Sequence, residues 1–174
     1  MSSFIFTVSR LWNYLNIYFL KPFDAVNDTL TATLIRKFNL NIPYLEIGSG
    51  DGVFSYVMHG GKFPVWFDRY IDVNLKNKDI FDTHDLANGF NLKKIKKIRN
   101  LCSVDSKENH VKKIKEIGFA DKTILSKYEN LPFKDESFES IFLYTPHGLH
   151  DYNKCVKECN RALTRKGYMI VLNY

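Results

Sequence analysis

The apolar run Tyr44 to Ile47 ends in three glycines at alternate positions, Gly48, Gly50 and Gly52, and a second apolar run opens at Val53. A chain that turns this sharply between two hydrophobic segments is leaving a strand and entering a helix. Glycine permits the turn because it tolerates left-handed backbone angles, and it lets a ligand approach the main chain closely. Phe54 to Met58 begins the predicted helix, and Gly60 and Gly61 end it. Two well-known phosphate-binding patterns do not fit. The dinucleotide fingerprint wants its third glycine at position 53, where Val53 stands, and the lysine of a P-loop is missing.

The rest of the chain alternates in the same way. Leu101 to Val104 reads as a strand ending in Asp105, followed by a helix with Val111, Ile114 and Ile117 on one face and Gly118 at its end. Thr123 to Leu125, Ser140 to Leu143 and Tyr168 to Leu172 read as further strands, with a helix at Tyr152 to Leu163 that turns Cys155, Val156 and Cys159 inward. Strands alternating with helices predict an α/β fold with a doubly wound, mostly parallel, Rossmann-like sheet that ends after its fifth strand. Ahead of it, Phe4, Val8, Leu11, Leu15 and Tyr18, then Val26, Leu30, Leu34 and Phe38, recur at helical spacing. These stripes predict two amphipathic helices packed on the sheet, with a lid over the site or a membrane contact as the other readings.

At 174 residues and 45% hydrophobic the chain has the material for one domain, 1–174, with N-terminal helices in 1–41 and a core in 42–174. Within the core, 62–99 lacks a period but is rich in aromatics and aspartates, which predicts an ordered insertion. The net charge of +6 leaves room for an anionic partner, yet the lysines are dispersed apart from Lys93, Lys94, Lys96, Lys97 and Arg99, a pattern that suits the solvated face of a helix. The N-terminus has neither a basic start nor a small-residue cleavage site, and no run approaches the ~20 apolar residues of a spanning helix. Cys102, Cys155 and Cys159 cannot all pair, so a cytoplasmic protein with reduced thiols is expected.

Four segments, in order, resemble the class I S-adenosylmethionine-dependent methyltransferases. Leu45-Glu46-Ile47-Gly48-Ser49-Gly50-Asp51-Gly52 is similar to the family's first motif, and Ser103-Val104-Asp105-Ser106 resembles its second strand with the terminal acid. Leu131 to Glu139 resembles the lead into the fourth strand, and Lys157 to Leu163, with Gly167 beyond, the helix and turn before the fifth. The likeness is strongest to the branch that methylates diverse small molecules.

The resemblance implies S-adenosylmethionine as cofactor, held by Glu46, Gly48, Ser49, Gly50, Asp105, Ser106, Tyr128 and Tyr144. Asp105, at a strand's carboxyl end, can accept two charge-assisted hydrogen bonds from ribose hydroxyls, or else cap the helix that follows. Glu46 either holds the cofactor's ammonium group or orders the loop through backbone amides. A base for a hydroxyl acceptor would come from the segment after the fourth strand, with His147 first and Tyr144 and His150 as alternatives, although either histidine also reads as a surface residue. Cys155 and Cys159 share an apolar helix face, so no metal site is expected despite the nearby histidines.

Three departures stand out. Lys127 occupies the place of an acid that contacts adenine in the family, and Asp105 lies about 50 residues beyond Gly52 rather than about 20. The insertion explains that spacing and is expected to enter away from the ligand edge, serving stabilisation or oligomer contact. The chain also ends after the fifth strand, whose open edge predicts a homodimer. The expected acceptor is a small molecule or a glycan-linked group. A cofactor- or partner-binding domain without turnover is the alternative, and Lys127 favours it. Nucleic-acid amino-methylation is disfavoured because Tyr144-Thr145-Pro146-His147 lacks the base-gripping pattern, and NAD chemistry is disfavoured by Val53.

Overall fold

Strand β1 (Tyr44–Ile47) is buried along its whole length because it runs between two parallel neighbours, β2 (Ile98–Asp105) and β4 (Phe138–Tyr144). Outside them lie β3 (Ala120–Leu125) on β2 and β5 (Leu163–Leu172) on β4, which gives a parallel sheet in the order β3-β2-β1-β4-β5. The chain leaves β1 towards β2 and β3, then returns to the other side of β1 with β4. The crevice at the carboxyl ends of β1, β2 and β4 is therefore the topological switch point, where open α/β sheets take their ligands. The structure is a computed structural model that describes residues 3–38, 40–65, 67–71, 92, 95–144 and 149–172.

Alternation along β1 divides the core in two. Tyr44 faces a layer made by α1 (Ser3–Leu15), α2 (Pro22–Phe38), α3 (Val53–Met58) and α4 (Glu108–Ile117), where Tyr14, Ala32, Val57, Ile114 and Phe142 are buried. Leu45 and Ile47 face the opposite layer, where α5 (Tyr152–Ala162) buries Cys155, Cys159 and Ala162 against Ile141 and Leu143. Helix ends follow local chemistry. The Asp151 side chain caps α5 by accepting from the Lys154 amide at 3.0 Å, and Gly118 closes α4 in the left-handed region at φ 74°. Strand β5 begins at Leu163, directly from α5 and ahead of the expected Tyr168; its register with β4 shifts between Leu163 and Tyr168, and its Gly167 sits where a Cβ would come within 2.9 Å of the Glu139 carbonyl oxygen. β5 is an edge strand, half-buried along most of its length.

The N-terminal helices form and pack on the core as expected, and Leu15 and Tyr18 of the first predicted stripe pack inward, but the start of that stripe and the whole of the second point the other way. Phe4 and Val8 on α1, and Val26, Leu30, Leu34 and Phe38 on α2, are exposed. The buried face of α2 is instead Ala25, Asp28, Thr29, Thr31, Ala32 and Ile35. Size decides this orientation: small side chains let α2 approach α1 and the core closely, and Thr29 satisfies its hydroxyl within its own helix by donating to the Ala25 carbonyl at 2.7 Å. Among the described residues no helix is long and apolar enough to cross a membrane.

Candidate cofactor site

The glycine turn is built as its spacing predicts. Gly48, Gly50 and Gly52 all take positive φ, at 75°, 57° and 81°, and the Gly52 amide donates to the Ser49 carbonyl at 3.0 Å. Gly48 is tied across to β2 by its amide on the Val104 carbonyl at 3.0 Å, and the hydroxyls of Ser49 and Ser103 meet at 2.5 Å.

Asp105, at the end of β2, is the organising acid and is only 2% exposed. Its Oδ2 accepts the Gly50 amide at 2.9 Å, and its Oδ1 accepts the Lys107 amide at 2.9 Å and faces His110 Nδ1 at 3.1 Å. The Tyr128 hydroxyl donates to the same carboxylate and accepts from the Ser106 amide and hydroxyl at 3.1 and 3.2 Å. Burial pushes the Tyr128 phenol up, and the charge of Asp105 adds to the shift. The bond to Lys107 means that Asp105 orders the start of α4 as well as the glycine turn. Of the two sequence readings of this residue, the bond to Lys107 carries the one at the start of the helix.

Glu46, 2% exposed, points from β1 towards α3. Its Oε1 accepts a hydrogen bond from Ser55, while its Oε2 is buried with no hydrogen-bond partner among the described residues. It makes no bond to the amides of the glycine turn. Burial pushes its carboxyl up to about 7, against the Ser55 hydrogen bond and with the repulsion of Asp105 added. A buried acid with an open oxygen suits a cationic group arriving in the crevice, because an unmet buried acceptor costs about 1–3 kcal/mol.

Arg69 was not anticipated. It is 2% exposed and donates to Asp51 of the glycine turn at 2.8 Å, while its amide donates to the Ile17 carbonyl at 2.8 Å. Asp28 of α2 lies beside it, and desolvation raises that carboxyl to about 7 despite Arg69 and a hydrogen bond from Tyr18. The insertion follows α3, whose end meets Tyr44 at the amino end of β1 through His59, and by residue 69 it has reached back to the ligand edge. Asp51 needed a counter-charge, but an arginine 18 positions on in an aperiodic stretch carries no local signature. His110 was legible in principle, since it lies in the first turn of α4 and faces back towards Asp105.

Tyr144 ends β4 half-buried, with its ring 5.7 Å from that of Phe54. Lys127 is exposed. His150 is also partly solvent-facing, and its amide donates to Glu129 at 3.1 Å. His147 lies outside the described residues.

Residues 86–171, nearly half of the chain, match the family model described as a methyltransferase domain. No curated protein matches the chain. Solved structures do. A putative sarcosine dimethylglycine methyltransferase from Galdieria sulphuraria is 15% identical, with a TM-score of 0.53 over 87% of this chain and 48% of that one. A protein from Pyrococcus horikoshii OT3 is 17% identical, with a TM-score of 0.52 over 87% of this chain and 58% of that one. A SAM-dependent methyltransferase from Aquifex aeolicus is 14% identical, with a TM-score of 0.50 over 98% of this chain and 72% of that one. At these identities the likeness is one of fold, and the chain spans about half the length of several structures it matches. The family model begins at residue 86, within 62–99 and well after the glycine turn, so the turn and the matched half are two separate signs of the same fold. With its sheet order and glycine turn, and a methyltransferase-domain match over residues 86–171, the chain has the fold of the class I S-adenosylmethionine-dependent methyltransferases.

Proposed function

We propose that the chain binds S-adenosylmethionine at the carboxyl ends of β1 and β2 and directs methyl transfer to an oxygen or nitrogen of a small-molecule or glycan-linked acceptor. The observation that carries this reading is the open, buried Oε2 of Glu46 beside the glycine turn, in the same crevice as Asp105. When bound, S-adenosylmethionine supplies a methyl group on a positively charged sulfur, already activated for transfer. The chain's contribution is alignment, which is where most of the rate comes from in such a reaction.

Glu46 would hold the cofactor's ammonium group on its open oxygen, a contact that favours its charged form. Asp105 would accept the ribose hydroxyls, with its carboxylate held by Tyr128, whose hydroxyl Ser106 in turn fixes. The amides of Gly48, Ser49 and Gly50 border the same crevice, and Tyr144 closes it at the end of β4. For a hydroxyl acceptor, His147 is the base we assign.

Calorimetric titration with S-adenosylmethionine and S-adenosylhomocysteine, followed by an acceptor screen with radiolabelled cofactor, tests this assignment. Micromolar binding supports the site, whereas no binding at millimolar cofactor removes it. A second reading is a domain that binds cofactor or a partner without turnover. It is favoured by the full set of protein partners already on Asp105 and by Lys127 in place of an acid. It predicts saturable binding with no labelled product, and one robust product refutes it.

A further inference from the structure

We propose that the outward face of the α1–α2 hairpin is a docking surface for an anionic lipid bilayer. Of the sixteen large hydrophobic side chains exposed among the described residues, eleven fall between Phe4 and Phe38. They are ordered. Phe4, Val8 and Trp12 lie on one side of α1, and Val26, Leu30 and Leu34 repeat on one side of α2. The hydroxyls of Thr7 and Thr33 meet at 3.2 Å, and Arg36 stacks over Phe6 at 4.4 Å, so the helices run antiparallel and side by side. Both bury their opposite sides in the same core layer, through Phe6 and Tyr14 on α1 and Ala25 and Ala32 on α2. The two exposed stripes therefore form one continuous apolar face, larger than a monomer ordinarily leaves in water.

Charge identifies what covers it. The hairpin has two acids, and neither is exposed: Asp28 is buried, and the half-buried Asp24 accepts from the Tyr70 hydroxyl at 2.7 Å. Its exposed charges are all cations, Lys21 at the tip and Arg36 and Lys37 at the open end, on a chain of net charge +6. An apolar face rich in Phe and Trp and bordered by Lys and Arg is the composition of a surface that sits in a headgroup layer, with the long cationic stems reaching the phosphates. A second copy of this chain fits less well, because a two-fold pairing of the faces sets cations against cations with no exposed acid between them. The tip has a shape suited to insertion. Phe19 and Phe23, 75% and 83% exposed, flank Lys21 and Pro22.

The tip also stands next to the crevice. The Leu20 amide donates to Asp68 at 2.9 Å, and the neighbouring Arg69 holds Asp51 of the glycine turn. A bilayer on this face lies close to the carboxyl edge of the sheet. Docking requires no cofactor, so it is tested apart from methyl transfer.

The experiment is cosedimentation of the full chain with vesicles of phosphatidylcholine alone and of phosphatidylcholine with phosphatidylserine. The expected result is binding to the phosphatidylserine vesicles that weakens with salt and with the loss of anionic lipid. Phe23→Ser with Leu30→Ser, and separately Lys21→Glu with Lys37→Glu, should each reduce it at least about tenfold, since they remove apolar burial and surface attraction respectively. All four positions are exposed, and circular dichroism verifies that the variants fold. Failure to sediment with phosphatidylserine vesicles overturns the proposal, as does equal binding by the variants. A concentration-dependent dimer in light scattering that Phe23→Ser with Leu30→Ser dissolves, without vesicle binding, assigns the face to a second copy and overturns it too.

Discussion

The Gly50 amide and the Asp105 carboxylate are hydrogen-bonded at 2.9 Å across 55 positions of sequence. This bond closes the glycine turn onto β2, so one acid both shapes the crevice and stands where the ribose hydroxyls are assigned. Asp105→Ala should weaken S-adenosylmethionine binding at least about tenfold, roughly 1.4 kcal/mol, in calorimetry. It should also destabilise the free chain by about 2 kcal/mol in urea unfolding, because the amides of Gly50 and Lys107 lose their acceptor. Cofactor affinity unchanged by the substitution would place the ribose elsewhere.

The Glu46 carboxyl gives a pH signature. In the folded chain burial raises it from 4.5 to about 7, so between those values the folded state holds a proton that the unfolded state has lost. Its contribution to stability therefore falls as pH rises from about 4.5 to about 7 and is level above that. Asp28, raised by burial from 3.8 to about 7, acts with the same sign, while His59, lowered by burial to about 4, acts against both in the lower part of the window. The difference between wild type and Glu46→Gln isolates the one residue. The variant should equal wild type at pH 4 and exceed it by about 1–3 kcal/mol at pH 8 in urea midpoints. A constant difference across the range would mean that Glu46 does not titrate there.

Arg69 and Asp51 form a buried pair at 2.8 Å. Removing one partner leaves an uncompensated charge in the core, so Arg69→Met should cost about 3–5 kcal/mol. Asp51→Asn together with Arg69→Met should recover a large part of that loss. Additive losses in a double-mutant cycle would show that the two are not coupled.

Gly52 and Gly118 share a positive φ, 81° and 74°, but not their surroundings. A Cβ at Gly52 would stand 2.9 Å from both Ile114 Cγ1 and Phe119 Cε1, whereas at Gly118 nothing comes nearer than 3.7 Å. Gly118→Ala should therefore cost about 1 kcal/mol from backbone conformation alone, and Gly52→Ala at least about 2 kcal/mol as packing strain is added. Equal thermal shifts for the two would mean that α4 yields to accommodate the methyl group.

The strands and the turn were readable because their signals are local. An apolar run that breaks at Gly48 has few alternatives, and Asp105 stands at the end of another such run. The destination of an amphipathic stripe is not local. Val26, Leu30 and Leu34 announce a helix whichever way it faces, and the inward choice of Ala25, Thr29 and Ala32 depends on how closely α1 and the core approach. The Glu46 reading was half legible: the sequence placed an acid at the crevice but could not say that only Ser55 would meet it. Arg69 escaped because a buried ion pair between an irregular segment and a turn leaves no period to detect.

Register pairing of Tyr44 with Leu101 has a kinetic corollary. The β1–β2 ladder is non-local, and the stretch between the two strands must be gathered before either can gain from it. Lengthening that stretch from about 20 to about 50 residues costs only about 1 kcal/mol of closure entropy, so the mature fold bears it easily. Folding speed is more sensitive, since parallel pairings of distant segments come late. Gly50 and Asp105 meet only once that ladder has closed, and ligand competence should therefore emerge with the slowest folding phase and report completion of the sheet.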